Sequence, residues 1–163
     1  MAFAGLPPLP SPHTRIGVGG VLIRDGRALV NRAVYRERFT IPSGYVEHGE
    51  ALETALVREF EEETGVTVRV GPLVLTRHKV IGPEESDVYF AFAVARISGD
   101  PVARPPEIAE VREVAVAGVD TVTWISELSR RAIHVAARPE AGWSRAEGAI
   151  GHARGFESES YHP

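Results

Sequence analysis

Between Arg15 and Ile23 the chain reads RIGVGGVLI, a largely β-branched run, and beyond Asp25-Gly26 it continues RALVNRA. Two apolar runs flanking an Asp-Gly pair predict a β-hairpin, because that pair tolerates the positive backbone angles of a tight turn. Gly17, Gly19 and Gly20 sit inside the strand pattern, and their spacing is wrong for a dinucleotide-binding loop. They are read as close packing of strand on helix. NRAVYRERFTIP then predicts a loop leading to a short strand that ends at Pro42. Farther on, VTVRVGPLVLTRHKV predicts a strand broken at Gly71-Pro72, IGPEESD a loop, and VYFAFAVARI a second strong strand.

From Ala51 to Thr64 the period changes to that of a helix, with good helix formers, no internal Gly or Pro, and Gly65 at a C-terminal cap position. Projected at roughly 100° per residue, Leu52, Ala55, Leu56 and Phe60 form one apolar stripe that should face a core. Glu59 and Glu63 fall on that same stripe and Glu62 lies at its border. The three carboxylates stand at i, i+3 and i+4 and point together. A merely solvated acidic face would put its charges opposite the leucines.

Seven glutamates lie between Glu47 and Glu63, and Arg58 alone opposes them with a full positive charge. Like charges at helical spacing destabilise by about a few tenths of a kcal/mol per pair, and partly buried carboxylates cost more unless neutralised. A hard divalent cation, Mg²⁺ with Mn²⁺ as a substitute, is the natural counter-ion, since it prefers carboxylate and water oxygens shared with a phosphate. The spacing thus predicts a metal site at Glu59, Glu62 and Glu63.

Other segments supply candidate contacts. Arg32, Arg36 and Arg38 interleave with Tyr35 and Phe39 just before the acidic helix. They read either as a solvated loop or as guanidinium grips on a substrate phosphate, with Tyr35 or Phe39 stacking on a base and Phe39 better suited to core packing. Arg77, His78 and Lys79 close one strand, and Glu84, Glu85 and Asp87 populate the next loop. They are ordinary polar loop residues or, functionally, substrate contacts with one extra carboxylate. Glu107, Glu110 and Glu113 follow a proline-rich turn. VAVAGVDTVTWISELSRRAIHVAARP predicts a strand-like piece, a Ser126 N-cap and an amphipathic helix closing at Pro139. Leu128, Ala132, Val135 and Ala136 form its expected buried face, and Trp124 is read as core or interface.

A length of 163 residues with 44% apolar composition suits one domain with its own core. A net charge of -4 offers no basic footprint for a nucleic-acid polymer, and the absence of cysteine excludes disulfides and thiolate chemistry. The first residues hold four prolines between positions 7 and 12, with no basic start and no long apolar run. They predict a mobile arm over 1–13 on a cytoplasmic protein with neither signal peptide nor membrane anchor. The domain is expected over 14–139 and an irregular tail over 140–163, where His152 and His162 are read as solvated.

The segment from Gly44 to Val66 resembles the Nudix box, G-x5-E-x7-R-E-U-x-E-E-x-G-U. Gly44, Glu50, Arg58, Glu59, Phe60, Glu62, Glu63, Gly65 and Val66 fall on its specified positions, Phe60 being aromatic where an aliphatic residue is usual. The resemblance implies an α/β fold, an α/β/α sandwich with a mixed sheet. It implies a Mg²⁺-dependent hydrolase acting on a nucleoside diphosphate linked to another group, ADP-ribose or another ADP-sugar first and nucleoside triphosphates next. In that family pattern Glu59, Glu62 and Glu63 hold the cation, with a carbonyl near Ser43 or Gly44 as a further ligand, and a water attacks phosphorus. The resemblance also implies an additional carboxylate ligand from a region like the one after the proline-rich turn, Glu110 being preferred over Glu107 and Glu85. Arg58 pairs with Glu50 in a supporting role, and the general base is left open between a box glutamate and a loop glutamate such as Glu85 or Glu110. Arg32, Tyr35, Arg36, Arg38 and Arg77 are the candidate substrate contacts. Nudix enzymes are frequently homodimers, which is the association the resemblance suggests. Some Nudix-like domains sense a nucleotide without cleaving it, but these often lose box glutamates, and here every position is filled. A plain Ca²⁺-binding helix lacks support because the alternating Asp/Asn pattern with Gly is absent.

Overall fold

The computed structural model describes residues 13–138. Residues 1–12 of the arm expected over 1–13 and the tail over 140–163, with His152, His162 and Trp143, lie outside the described residues, whereas His13 already belongs to the first strand.

Strand β1 (His13–Arg24) turns into β2 (Arg27–Ala33) through Asp25 and Gly26, whose φ angles of 51° and 70° are the paired positive values of a tight hairpin turn. β1 then organises the sheet. Along one side it pairs in parallel with β5 (Glu85–Ser98), from His13 opposite Glu85 to Leu22 opposite Val94. On its other side Gly17–Gly19 pair antiparallel with β3 (Ser43–Tyr45). With β4 (Thr67–Gly82) beyond β5 and β6 (Ile108–Ala115) beyond β2, the order is β4-β5-β1-β2-β6. One parallel pair among antiparallel ones makes the sheet mixed.

Helix α1 (Leu52–Thr64) ends where Gly65 adopts φ 72° and its N–H reaches the Glu61 carbonyl at 2.8 Å. Ala55, Leu56 and Phe60 are fully buried, as the stripe predicted, and Leu52 is half-buried. They meet Val18, Leu22, Leu29, Phe92 and Val94 on one face of the sheet. The opposite face carries Val21, Ala28, Val30 and Ala91 against α2 (Glu127–Ala136). Successive strand side chains point to opposite faces, so each strand feeds both cores and the result is an α/β/α sandwich. Burying Phe60 contributes on the order of 2–3 kcal/mol. Its ring fits because position 20 is glycine: a Cβ there would stand 2.8 Å from it. Gly20 is thus the strand-on-helix contact expected of the glycine run, whereas Gly17 and Gly19 lie under the Tyr89 ring of β5.

Several boundaries differ from expectation. Phe39 and Thr40 make only isolated bridges, and the short strand follows Pro42 instead of ending there. The Pro42 carbonyl accepts from Gly20 at 3.0 Å, so the chain crosses β1 at that point and β3 continues the pairing. β4 runs through Gly71-Pro72, the break being absorbed as a register shift between Val70 and Leu73; an edge strand tolerates a proline because its outer side needs no donor. The expected loop IGPEESD shrinks to a turn at Pro83-Glu84, since the long parallel pairing with β1 carries β5 back to Glu85. Arg77, His78 and Lys79 therefore lie inside β4. The strand-like piece at VAVAG ends β6 at Val114 and Ala115 and then turns into a short 3₁₀ helix, Val116–Thr121; Glu110 and Glu113 also lie on β6. α2 buries Leu128, Ser129, Ala132 and Ile133, with Val135 and Ala136 half-buried. The Ser129 hydroxyl is accommodated there by Thr40, 3.0 Å away, so the buried face turns toward it.

Candidate active site

Glu59 and Glu63 project from the inner face of α1 toward β3 and β2. The Glu63 Oε2 atom accepts two hydrogen bonds, from the Ser43 backbone N–H at 2.7 Å and from the Asn31 side-chain amide at 2.8 Å. Burial nevertheless dominates and pushes the Glu63 carboxyl up to about 8. Glu59 is raised as well, first by burial and then by the nearby charges of Glu62 and Glu107. Two carboxylates are held side by side where ionising them is costly.

Arg58 is the local counterweight. It reaches Glu50 with a two-pronged contact, Nε to Oε1 and Nη2 to Oε2 at 3.0 Å each, and its Nη1 reaches Glu59 at 2.8 Å and Glu62 at 3.4 Å. Nη2 also donates to the Tyr45 carbonyl at 3.2 Å, which ties β3 to the helix. This contact holds the Glu50 carboxyl below the usual carboxylate range, and Glu50 in turn raises the Arg58 guanidinium. Arg58 is a strut with four carbonyl or carboxylate partners.

Glu62 behaves differently from its neighbours. Its side chain is 61% exposed and turned toward Arg58, so the three helix carboxylates do not converge as the wheel suggested. Among the described residues no three acidic or histidine side chains form a ready ligand cage. Glu107, which precedes β6, is close enough for its charge to raise both Glu59 and Glu63. Glu110 is instead paired with Arg32 at 3.3 Å, and Glu85 with Arg15 at the start of β1. Both therefore stand apart from the acidic centre, and the extra carboxylate that approaches it is Glu107.

The basic candidates also separate. Arg32 is held by Glu110 and by the Arg36 carbonyl at 3.0 Å. Arg77 is tied to the buried Asp87 and lies over the Tyr89 ring, with its Nε buried and without a partner. Arg36 lies over Tyr35, and Tyr35, Arg36, Glu37, Arg38 and Ile125 line a cleft of about 270 Å³. That loop is anchored at Val34, whose N–H reaches the Glu107 carbonyl at 2.8 Å. A larger cleft, about 530 Å³, lies at the β4–β5 turn among His13, Gly82, Pro83, Glu84 and Glu85. Neither cleft is lined by a residue of the acidic centre; the smaller one is joined to it through the Val34–Glu107 backbone bond. Phe39 is core, with Arg112 over its ring, and Trp124 donates to the Val119 carbonyl at 2.9 Å while packing on the α2 side.

Asn31 and Tyr89 escaped the sequence reading. A polar residue at the end of the apolar run ALV was the available signal for Asn31, which is fully buried. Tyr89 crosses β1 over Gly17 and Gly19, and burial pushes its hydroxyl well above its ordinary range. The side-chain donors at the centre are oxygens, the Glu59 and Glu63 carboxylates, both raised by burial. Such a surplus of hard oxygen fits Mg²⁺ or Mn²⁺.

Fold and site together define an α/β/α domain built around a glutamate-rich helix. The chain belongs to the NUDIX family: the NUDIX domain model matches residues 13–134, about three quarters of its length. An ADP-ribose pyrophosphatase of Methanocaldococcus jannaschii is 35% identical over 65 residues, 38% of this chain and 38% of that protein. A MutT-like protein of Streptomyces ambofaciens is 41% identical over 68 residues, 41% and 42% of the two chains. The matched stretch thus spans about two fifths of these curated relatives. A NUDIX hydrolase from Nitrosomonas europaea shares the fold with a TM-score of 0.67 at 21% identity, over 76% of this chain and 88% of that one.

Proposed function

We propose that the protein is a divalent-metal-dependent pyrophosphohydrolase that cleaves the P–O–P bond of a nucleoside diphosphate linked to another group, ADP-ribose or a related ADP-sugar being the first substrate to test. The observation that carries this is the half-buried Glu59–Glu63 pair braced by the Arg58–Glu50 contact. The name of the Methanocaldococcus jannaschii relative supports the choice of ADP-ribose.

Glu59, Glu63 and, after turning from Arg58, Glu62 would hold Mg²⁺, which on binding offsets diphosphate charge and makes the attacking water more acidic. Water oxygen bonds to one phosphorus as the bridging P–O bond breaks, and the bridging oxygen leaves on the other phosphate. The water proton passes to a carboxylate, for which Glu107 and the box glutamates are the available groups. Arg58 keeps Glu50 and Glu59 in place, and Gly44 lets the Glu59 carboxylate lie against β3. Arg38 and Arg36 offer guanidinium donors for phosphate and Tyr35 a face for a base. The partner is a small nucleotide; among the described residues no helix is long and apolar enough to cross a membrane.

The test is a hydrolysis screen against ADP-ribose, other nucleoside diphosphate sugars, dinucleoside polyphosphates, NADH and nucleoside triphosphates, with Mg²⁺, Mn²⁺ or EDTA. Wild type runs beside Glu62→Gln and Glu63→Gln. Cleavage that needs the metal and the glutamates is expected. Full turnover by either variant would overturn the assignment, and metal-dependent binding without cleavage would point to a nucleotide sensor.

A further inference from the structure

We propose that Asn31 is a positioning residue for the acidic centre, holding Glu63 in the orientation that presents its Oε1 atom to the cation; the inference rests on the function proposed above. Asn31 is fully buried in β2, and both of its backbone groups are bonded to Thr40, N–H to carbonyl at 2.9 Å and carbonyl to N–H at 3.0 Å. The residue has almost no freedom to move. Its amide nitrogen meets Glu63 Oε2 at 2.8 Å across 32 positions of sequence, and the Ser43 N–H meets the same oxygen at 2.7 Å.

Both donors take one oxygen and neither engages Oε1. Two fixed donors on one oxygen define a carboxylate's plane and rotamer, so the free oxygen is aimed by the sheet and not by the helix alone. Ser43 is itself restrained by its backbone pairing with Gly19 of β1. A residue present only to fill the core would be apolar here. Asn31 instead leaves its Oδ1 buried without a partner, a cost that is explained if its amide N–H₂ is needed for Glu63.

The experiment is Mn²⁺ titration, followed by the spin-resonance signal of free Mn²⁺ with no substrate present, on wild type, Asn31→Leu and Asn31→Ser, beside metal-free thermal melts. Leucine is near in volume and removes the donor; serine is polar but too short to reach Glu63. Expected is an Mn²⁺ Kd raised about tenfold or more in both variants. The metal-free melting temperature of Asn31→Leu should be unchanged or higher. The Mg²⁺ concentration for half-maximal rate should rise in parallel while KM at saturating Mg²⁺ stays put. Unchanged Mn²⁺ affinity in a folded variant overturns the inference and leaves the proposed function standing. Affinity that falls only together with metal-free stability, or failure of both variants to fold, overturns it in favour of a structural role. Absence of Mn²⁺ binding by wild type sinks the proposed function and this inference with it.

Discussion

The volume that a side chain at Gly44 would fill is occupied by the carboxylate of Glu59: a Cβ there would stand 2.0 Å from the Glu59 carboxyl carbon. Glycine at this position is a requirement of the acidic centre, not of a turn. Gly44→Ala is expected to displace Glu59 and lower kcat/KM by about tenfold or more, the scale seen when groups that orient metal ligands are lost. Steady-state kinetics beside a thermal melt checks this; wild-type kcat/KM in the variant would show that Glu59 is free to sit elsewhere.

Glu63 sets a pH dependence for the metal-free protein. Its folded value of about 8 lies above its ordinary 4.5, so between those limits the folded chain keeps a proton that the unfolded chain releases. Stability from this group is full below pH 4.5 and declines as pH rises toward 8. Glu50, Asp120 and Glu127 are shifted downward, so their contributions are lost only on acidification below that window. The melting temperature in EDTA should therefore fall from about pH 5 to pH 8. Glu63→Gln should reduce the decline to the part carried by Glu59, which is also shifted upward, and saturating Mg²⁺ should offset the full decline in wild type alone. A wild-type curve parallel to that of Glu63→Gln would refute the assignment.

Arg58 makes a forked contact that lysine cannot copy, since an ammonium is a single point of charge. Arg58→Lys should keep the fold yet release Glu50 and the Tyr45 carbonyl. Loss of about tenfold in kcat is expected, on the same scale as other supporting contacts to metal ligands. Activity equal to wild type would mean that charge alone suffices.

Tyr89 and Gly19 share one space: a Cβ at position 19 would meet the tyrosine oxygen at 1.9 Å. Gly19→Ala should destabilise the fold by about 1–3 kcal/mol, the usual penalty of overpacking. In a Tyr89→Leu background the penalty should shrink but not vanish, because Ile41 also lies 3.1 Å from the added carbon. Denaturant melts of the four proteins give the coupling, expected to be at least about 0.5 kcal/mol. Strict additivity would contradict the geometry.

The local features were legible in the chain because their causes are local. The D-G hairpin, the helix with its Gly65 cap and the inward glutamates 59 and 63 follow from spacing within a few residues, and the Arg58–Glu50 pair from the resemblance to the Nudix box. What the sequence hid depends on distant partners. Pro72 breaks no strand because β4 is an edge, and IGPEESD is no loop because β1 recruits Glu85. Glu62 turns outward because Arg58, one turn back on the same helix, competes for it. Arg77 is held by Asp87, ten residues on, across the hairpin. Asn31 carries no motif at all; its meaning lies in the glutamate brought to it by folding.

The parallel register of β1 and β5 has a consequence for how the protein is born. Thr14 and Ser86 stand side by side although 72 positions separate them. The helix that bears the glutamates leaves the ribosome well before β5, yet its Phe60 rests in the core beside Phe92 and Val94 of that strand. Long-range pairings of this kind form slowly. A nascent chain therefore holds its most acidic segment on β1 and β2 alone, and the floor beneath it is completed only once β5 has been synthesised.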